Sequence, residues 1–166
     1  MPYTPILATL GYVMSPDGSE TLLIHRNARD DDQHLGKYNG LGGKLEPDEE
    51  IVAGMKREIF EEAGITCQEL VLRGTISWPG FGPEGEDWFG FIFRIDRFSG
   101  TPFSENPEGT LEWFPVDKIL TLPLWEGDRY FLPLVFNDDP RQFHGVMPYD
   151  GGRPVSWTYS LIENMR

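Results

Sequence analysis

The run REIFEEAG, from Arg57 to Gly64, brings Glu58, Glu61 and Glu62 onto a short stretch of one predicted helix. Like charges three and four residues apart on a helix repel and cost stability. A chain that keeps three carboxylates there must leave them in solvent or supply a counter-charge. The surrounding segment favours a helix from about Asp48 to Ala63, with Asp48 as N-cap, an acidic first turn and Gly64 as the stop. At 100° per residue the three glutamates share an arc of roughly 100°. Val52, Met55, Ile59 and Ala63 form a separate apolar stripe, and Ala53 with Phe60 form another apolar side. This pattern predicts a helix buried on much of its girth, with an acid face looking into a gap. Gly54, a poor helix former, lies one turn before Glu58 and is expected to leave space above the carboxylates.

A single pair of glutamates reads most simply as a solvated face. Three on one arc, beside two apolar sides and after a glycine-rich loop, point instead to a hard cation. Mg²⁺ takes oxygen ligands and often bridges to phosphates. The net charge of −13 fits this choice, because so acidic a surface repels nucleic acid polymers and anionic membranes unless cations intervene. The 166 residues suggest one domain spanning 1–166 with a sizeable core. The single cysteine, Cys67, is expected to be a packing residue. A chain with one cysteine fits a reducing, cytoplasmic setting. The N-terminal apolar run is short, broken and without a basic start, so neither a signal peptide nor a membrane span is expected.

Along the chain, PILATLGYVM, TLLIHR, CQELVLRGTISW, DWFGFIFRID and TLEWFPV read as strands. NARDDDQHLGKYNGLGGKLEPDEE reads as a long functional loop and VDKIL as a short helical turn. LWEGDRYFLPLVF reads as a helix interrupted near Pro133, and the C-terminal segment as a hairpin turning at Asp150-Gly151-Gly152. Strands joined by short turns with few helices argue for a mixed sheet flanked by helices. His25, His34 and His144 are scattered and form no metal-spacing motif, and His34, in the long loop, reads as solvated, with a phosphate contact as the alternative.

GKLEPDEEIVAGMKREIFEEAGI, from Gly43 to Ile65, resembles the Nudix box. Gly43, Glu49, Arg57, Glu58, Ile59, Glu61, Glu62, Gly64 and Ile65 fill its fixed places. The resemblance implies an α/β/α sandwich. It also implies Mg²⁺-dependent hydrolysis, with Mn²⁺ as an alternative ion, of a nucleoside diphosphate linked to another group. It puts Glu58, Glu61 and Glu62 on the metal and makes Arg57 and Glu49 mainly structural.

KYNGLGGK, WEGDRYFLPL and FHG resemble the animal-type oxidised purine nucleoside triphosphatases of the MutT class, over most of the chain. By that resemblance Asn39 bonds the base edge, Trp125 stacks on the base, and Asp128 meets the purine edge. Trp78 walls the pocket, Thr9 and Arg26 lie near sugar or phosphate, and Lys44 contacts phosphate. Glu108 and Gly42 join the metal-holding positions, and a glutamate of the box or Glu108 is the base. A turn role for Asn39, a core role for Trp125 or Trp78 and a surface role for Glu108 stand beside these. The family pattern carries two adjacent acids after Trp-Pro. Here WEGD has Glu126 at the proline place and Gly127 at the first acid, so only Asp128 stays in register. The loop FGPEGED also departs.

The expected function is conversion of an oxidised purine nucleoside triphosphate, 8-oxo-dGTP foremost, to monophosphate and pyrophosphate. This would cleanse the nucleotide pool and so support DNA repair; the sequence leaves the oligomeric state open, with a monomer favoured. Hydrolysis of a nucleoside diphosphate sugar or dinucleotide polyphosphate, a silent nucleotide-binding regulator, and a plain acidic structural protein are the alternatives.

Overall fold

The computed structural model describes residues 1–163. In chain order the elements are β1 (Ile6–Met14), β2 (Glu20–His25), β3 (Tyr38–Asn39), β4 (Leu41–Lys44), α1 (Ile51–Ala63), β5 (Thr66–Trp78) and β6 (Trp88–Ser99). There follow β7 (Glu105–Asn106), β8 (Gly109–Pro115), a 3₁₀ helix (Val116–Thr121), α2 (Asp128–Phe136), β9 (Gln142–Val146), β10 (Tyr149–Asp150), β11 (Arg153–Pro154) and β12 (Thr158–Ile162). The main sheet runs β12-β9-β5-β6-β1-β2-β8-β7. The β1–β6 and β5–β9 pairs are parallel and the others antiparallel, so the sheet is mixed as expected.

The alternation of each strand sends successive side chains to opposite faces, and two cores result. Tyr12, Leu23, Ile76, Ile92 and Phe143 pack with Phe131, Leu132 and Val135 of α2 on one face. Val13, Leu22, Phe93 and Ile95 pack with Met55, Ile59 and Ala63 of α1 on the other. Helices on both faces of one sheet give the layered α/β/α arrangement. Among the described residues no helix is long and apolar enough to cross a membrane. Cys67 is buried and unpaired, and burial pushes its thiol up to about 11.

The site is opened by a divergence between β1 and β2. These strands pair only at Val13–Leu22 and Met14–Thr21. Toward its start β1 pairs instead with β4, from Ala8–Lys44 to Gly11–Leu41, and the end of β2 takes β3. The glycine-rich stretch expected to be loop therefore contains two short strands. A Cβ at Gly42 would fall 1.9 Å from the Thr9 carbonyl oxygen, so only glycine allows this approach.

Four details of the helices differ from expectation. Glu50, not Asp48, caps α1, accepting from Val52 N at 2.6 Å and Ala53 N at 3.1 Å. Its longer side chain reaches back over the first turn, and that turn itself carries no acid. Ala53 and Phe60 are exposed, so α1 buries one face only: Gly54, Met55, Ile59 and Ala63. The space at Gly54 is filled by Leu45, whose Cδ2 would lie 2.4 Å from a Cβ there. Finally, α2 begins at Asp128 and runs through Pro133 to Phe136. The carbonyl that Pro133 leaves without its helical donor belongs to exposed Arg129, where water can serve it. Arg73, only 3% exposed, binds the last carbonyls of α2, donating to Leu134 O at 3.0 Å and Val135 O at 3.2 Å. The C-terminal hairpin is built as β9 against β12, with a separate β10–β11 ribbon at its tip turning on Gly151 and Gly152, both at positive φ.

Candidate active site

A cavity of about 460 Å³ opens in the gap beside β1 and β4. Of the side chains singled out in the sequence, Thr9, Arg26, Asn39, Glu62, Trp78, Glu108, Trp125 and Asp128 line it, together with Gly42. They come from β1, β3, β4, α1, β5, α2 and the connections between elements. Arg57, Glu58, Glu61 and Lys44 lie outside its wall. Lys44 instead holds its Nζ over the Trp88 ring, 5.5 Å from the centroid.

The acidic side is organised around Glu62. Its carboxylate accepts from Gly42 N at 2.9 Å, and Asn106 Nδ2 donates to its backbone carbonyl at 3.0 Å. Asn106 Oδ1 also accepts from Glu108 N at 2.9 Å, which ties the β7–β8 turn to the end of α1 and brings Glu108 toward Glu62. Burial, then the charges of Glu108 and Glu58, push Glu62 up to about 8. Glu58 is also raised, mainly by burial. Arg26 donates to Glu108 at 2.9 Å and to Asp32 at 2.7 Å, a counter-charge on the same wall.

Arg57 is a clamp. Its Nη2 and Nε meet the two oxygens of Glu49 at 2.6 and 2.9 Å, and Nη2 reaches the Lys44 carbonyl at 3.2 Å. Its Nη1 meets Glu58 at 2.9 Å and Glu61 at 3.3 Å. The guanidinium thus joins the β4–α1 loop to the helix and holds Glu49 down at about 2. A Cβ on Gly43 would sit 2.7 Å from the Glu58 carboxyl, so that glycine lets β4 lie against the acid. Among the described residues no three Asp, Glu, His or Cys side chains gather around one point. The donors nevertheless suit a divalent oxygen-seeking ion. Glu62 is raised by burial first and then by the charges of Glu108 and Glu58, and such an ion would offset both.

The apolar side contains groups that the sequence reading missed. Trp125 donates from Nε1 to His34 Nδ1 at 2.7 Å, and the two rings meet edge-on at 4.8 Å. Lys37 lies over the Trp125 ring at 5.3 Å. His34, expected to be solvated, is thus a wall residue, and burial lowers its pKa. Phe81, Trp88 and Tyr149 complete the wall. Trp88 carried a usable signal, since the alternation of β6 puts it on the same face as buried Ile92. The indole N–H of Trp88 and the hydroxyl of Thr9 are buried without hydrogen-bond partners. Asp128 is pushed up to about 7 by burial, against the lowering charges of Lys37 and Arg129.

A NUDIX domain profile matches residues 4–135. Over 129 residues the chain is 41% identical to a Mus musculus protein named oxidized purine nucleoside triphosphate hydrolase, covering 77% of this chain and 79% of that one. A Danio rerio protein of the same name is 35% identical over 116 residues, covering 70% and 72%. The crystal structure of a mutator MutT protein from Bacillus halodurans superposes with a TM-score of 0.80 at 29% identity, covering 93% of this chain and 97% of that one. Nudix hydrolases generally need divalent metal ions. With the box residues in place on α1 and its preceding loop, and the profile spanning most of its length, this chain belongs to the Nudix hydrolase family.

Proposed function

We propose that this protein is a diphosphatase that converts oxidised purine nucleoside triphosphates, 8-oxo-dGTP foremost, to the monophosphate and pyrophosphate. The observation that carries the reading is a single cavity lined both by Asn39, Trp125 and Asp128 and by Glu62, Glu108 and Arg26. The names of the mouse and zebrafish relatives support the substrate class.

In this reading Trp125 stacks on the base, held edgewise by His34. Asn39 and Asp128 bond the base edge. Asp128, poised at about 7, can accept a hydrogen bond as a carboxylate or donate one as an acid. Arg26 faces the phosphates, and Thr9 sits at the sugar side. Glu58, Glu61, Glu62 and Glu108, with the Gly42 backbone, hold the cation, for which Mg²⁺ is the preferred ion and Mn²⁺ the substitute. A divalent ion in such a site stabilises phosphate charge and generates a nucleophile from water. Glu62 or Glu108 accepts the proton of the attacking water. Arg57 acts through the loop it clamps. Lys44, held over Trp88, stays outside the phosphate path in this arrangement. The lone buried cysteine suits the reducing cytoplasm, where nucleotide pools are cleansed.

The test is product analysis on 8-oxo-dGTP, dGTP, an oxidised dATP, a nucleoside diphosphate sugar and a dinucleotide polyphosphate, with Mg²⁺, with Mn²⁺ and with chelator. Pyrophosphate release, fastest on an oxidised purine and absent with chelator, is expected. Preferential turnover of the sugar nucleotide or the dinucleotide would overturn the substrate assignment.

A further inference from the structure

We propose that the Tyr149 hydroxyl is a second base-reading group of this cavity, acting beside the Asp128 carboxyl to select purines that carry a 6-carbonyl. This rests on the purine triphosphatase reading above and specifies how the base is chosen.

Gly127, the residue before Asp128, carries the first observation. A Cβ built there would lie 2.2 Å from Tyr149 Oη and 2.7 Å from Met147 Sδ. The volume that a side chain at 127 would fill is therefore occupied by the tyrosine hydroxyl. Gly127 has φ −65° and ψ −29°, which any residue can adopt, so the glycine serves this contact and not a special backbone shape. An added acid at 127 would collide with Tyr149 before it could read a base.

The tyrosine is held in place through its backbone and its ring. Tyr149 N donates to Pro79 O at 2.7 Å, and its ring meets Phe81 edge-on at 5.0 Å and 79°. Tyr149 is 9% exposed and lines the cavity. Burial and then the charge of Asp128 raise the Tyr149 hydroxyl well above its ordinary value. Its O–H has no protein acceptor among the described residues and remains a donor. The Asp128 carboxyl likewise meets no protein hydrogen-bond donor among the described residues. Two residues with unpaired polar groups, lining one cavity with Trp78, Phe81 and Tyr12, are costly until something pairs with them. A 6-oxopurine does so, because its carbonyl accepts from Tyr149 while the adjacent ring N–H donates to Asp128.

The experiment measures kcat and KM for the parent protein, Tyr149→Phe and Gly127→Ala with three triphosphates: dGTP, dITP and the 2-aminopurine deoxynucleotide. dITP keeps the 6-carbonyl but lacks the 2-amino group, and 2-aminopurine lacks the 6-carbonyl. Tyr149→Phe removes one oxygen and keeps the ring. It should raise KM for dGTP and dITP about tenfold, the size of one hydrogen bond, while KM for the 2-aminopurine substrate stays within about twofold. Gly127→Ala, which displaces an intact hydroxyl, should shift the ranking in the same direction. Equal losses on all three substrates, or no loss on any, with an active parent overturns the inference alone. A parent that hydrolyses neither these nor 8-oxo-dGTP overturns the functional reading on which it rests.

Discussion

At the scale of single residues, the His34–Trp125 bond sets a pH dependence. The indole N–H can only donate, so His34 Nδ1 must carry a lone pair and the ring proton sits on Nε2. Burial first, then the charges of Arg26 and Lys37, lower the His34 pKa from its ordinary 6.5, and Asp32 opposes them. A depressed pKa means that the neutral ring is the favoured folded form. Its contribution is present above the ordinary value and is lost as pH falls through the lowered one. KM for the preferred purine should therefore rise on the acid side while kcat changes less. In His34→Phe, which keeps a ring but no acceptor, KM should be raised about three- to tenfold and this part of the acid limb should vanish. A variant whose KM–pH profile matches the parent's would remove His34 from the pocket's design. Nothing local in the sequence separated His34 from a solvated loop residue. Its partner is 91 residues away.

At the scale of elements, α1 and the loop before it form one unit through Arg57. The clamp needs a planar fork, because both Glu49 oxygens, the Lys44 carbonyl and Glu58 are met by one guanidinium. Arg57→Lys keeps the charge and loses the fork. It should destabilise the fold by about 1–2 kcal/mol and lower kcat at least tenfold, because the loop that follows β4, the strand of Gly42 and Gly43, is no longer pinned. Thermal melts together with kinetics check this, and a stable variant with parental kcat would mean that the clamp is dispensable. This element was legible because its partners lie within one helix and its adjoining loop. Asp48 is the expected cap because aspartate is a favoured N-cap residue and glutamate is not, and only the path of the loop from Leu45 decides which carboxyl reaches the first turn.

At the scale of the whole molecule, two carboxyls are held well above their ordinary values: Glu62 at about 8 and Asp128 at about 7. A raised folded-state pKa favours the protonated form. The stability it brings is complete below the ordinary values of 4.5 and 3.8 and is lost as pH rises through about 8 and about 7. Melting temperature of the cation-free protein should therefore fall between about pH 4.5 and pH 8. The net charge of −13 works in the same direction through self-repulsion in parent and variant alike, so their difference is the informative quantity. Glu62→Gln should melt higher than the parent at pH 8.5, gain less from added Mg²⁺, and lose at least about 100-fold in activity, or about 2.7 kcal/mol. Melting curves at pH 5, 7 and 8.5, with and without Mg²⁺, check the first two, and an unchanged pH slope in the variant would contradict the assignment. The sequence by itself determined α1, the order of the box residues and the main strands, because helix periodicity, strand alternation and glycine stops are short-range signals. It did not determine which apolar sides of α1 are buried, since Ala53 and Phe60 meet solvent. Nor did it determine that Phe81, Trp88, His34 and Tyr149 share one wall. Those were decided by the parallel β1–β6 and β5–β9 pairings and by the divergence of β1 from β2, which juxtapose segments far apart in the chain. Pairing between distant strands depends on the complementarity of whole faces, and no local run of residues encodes it.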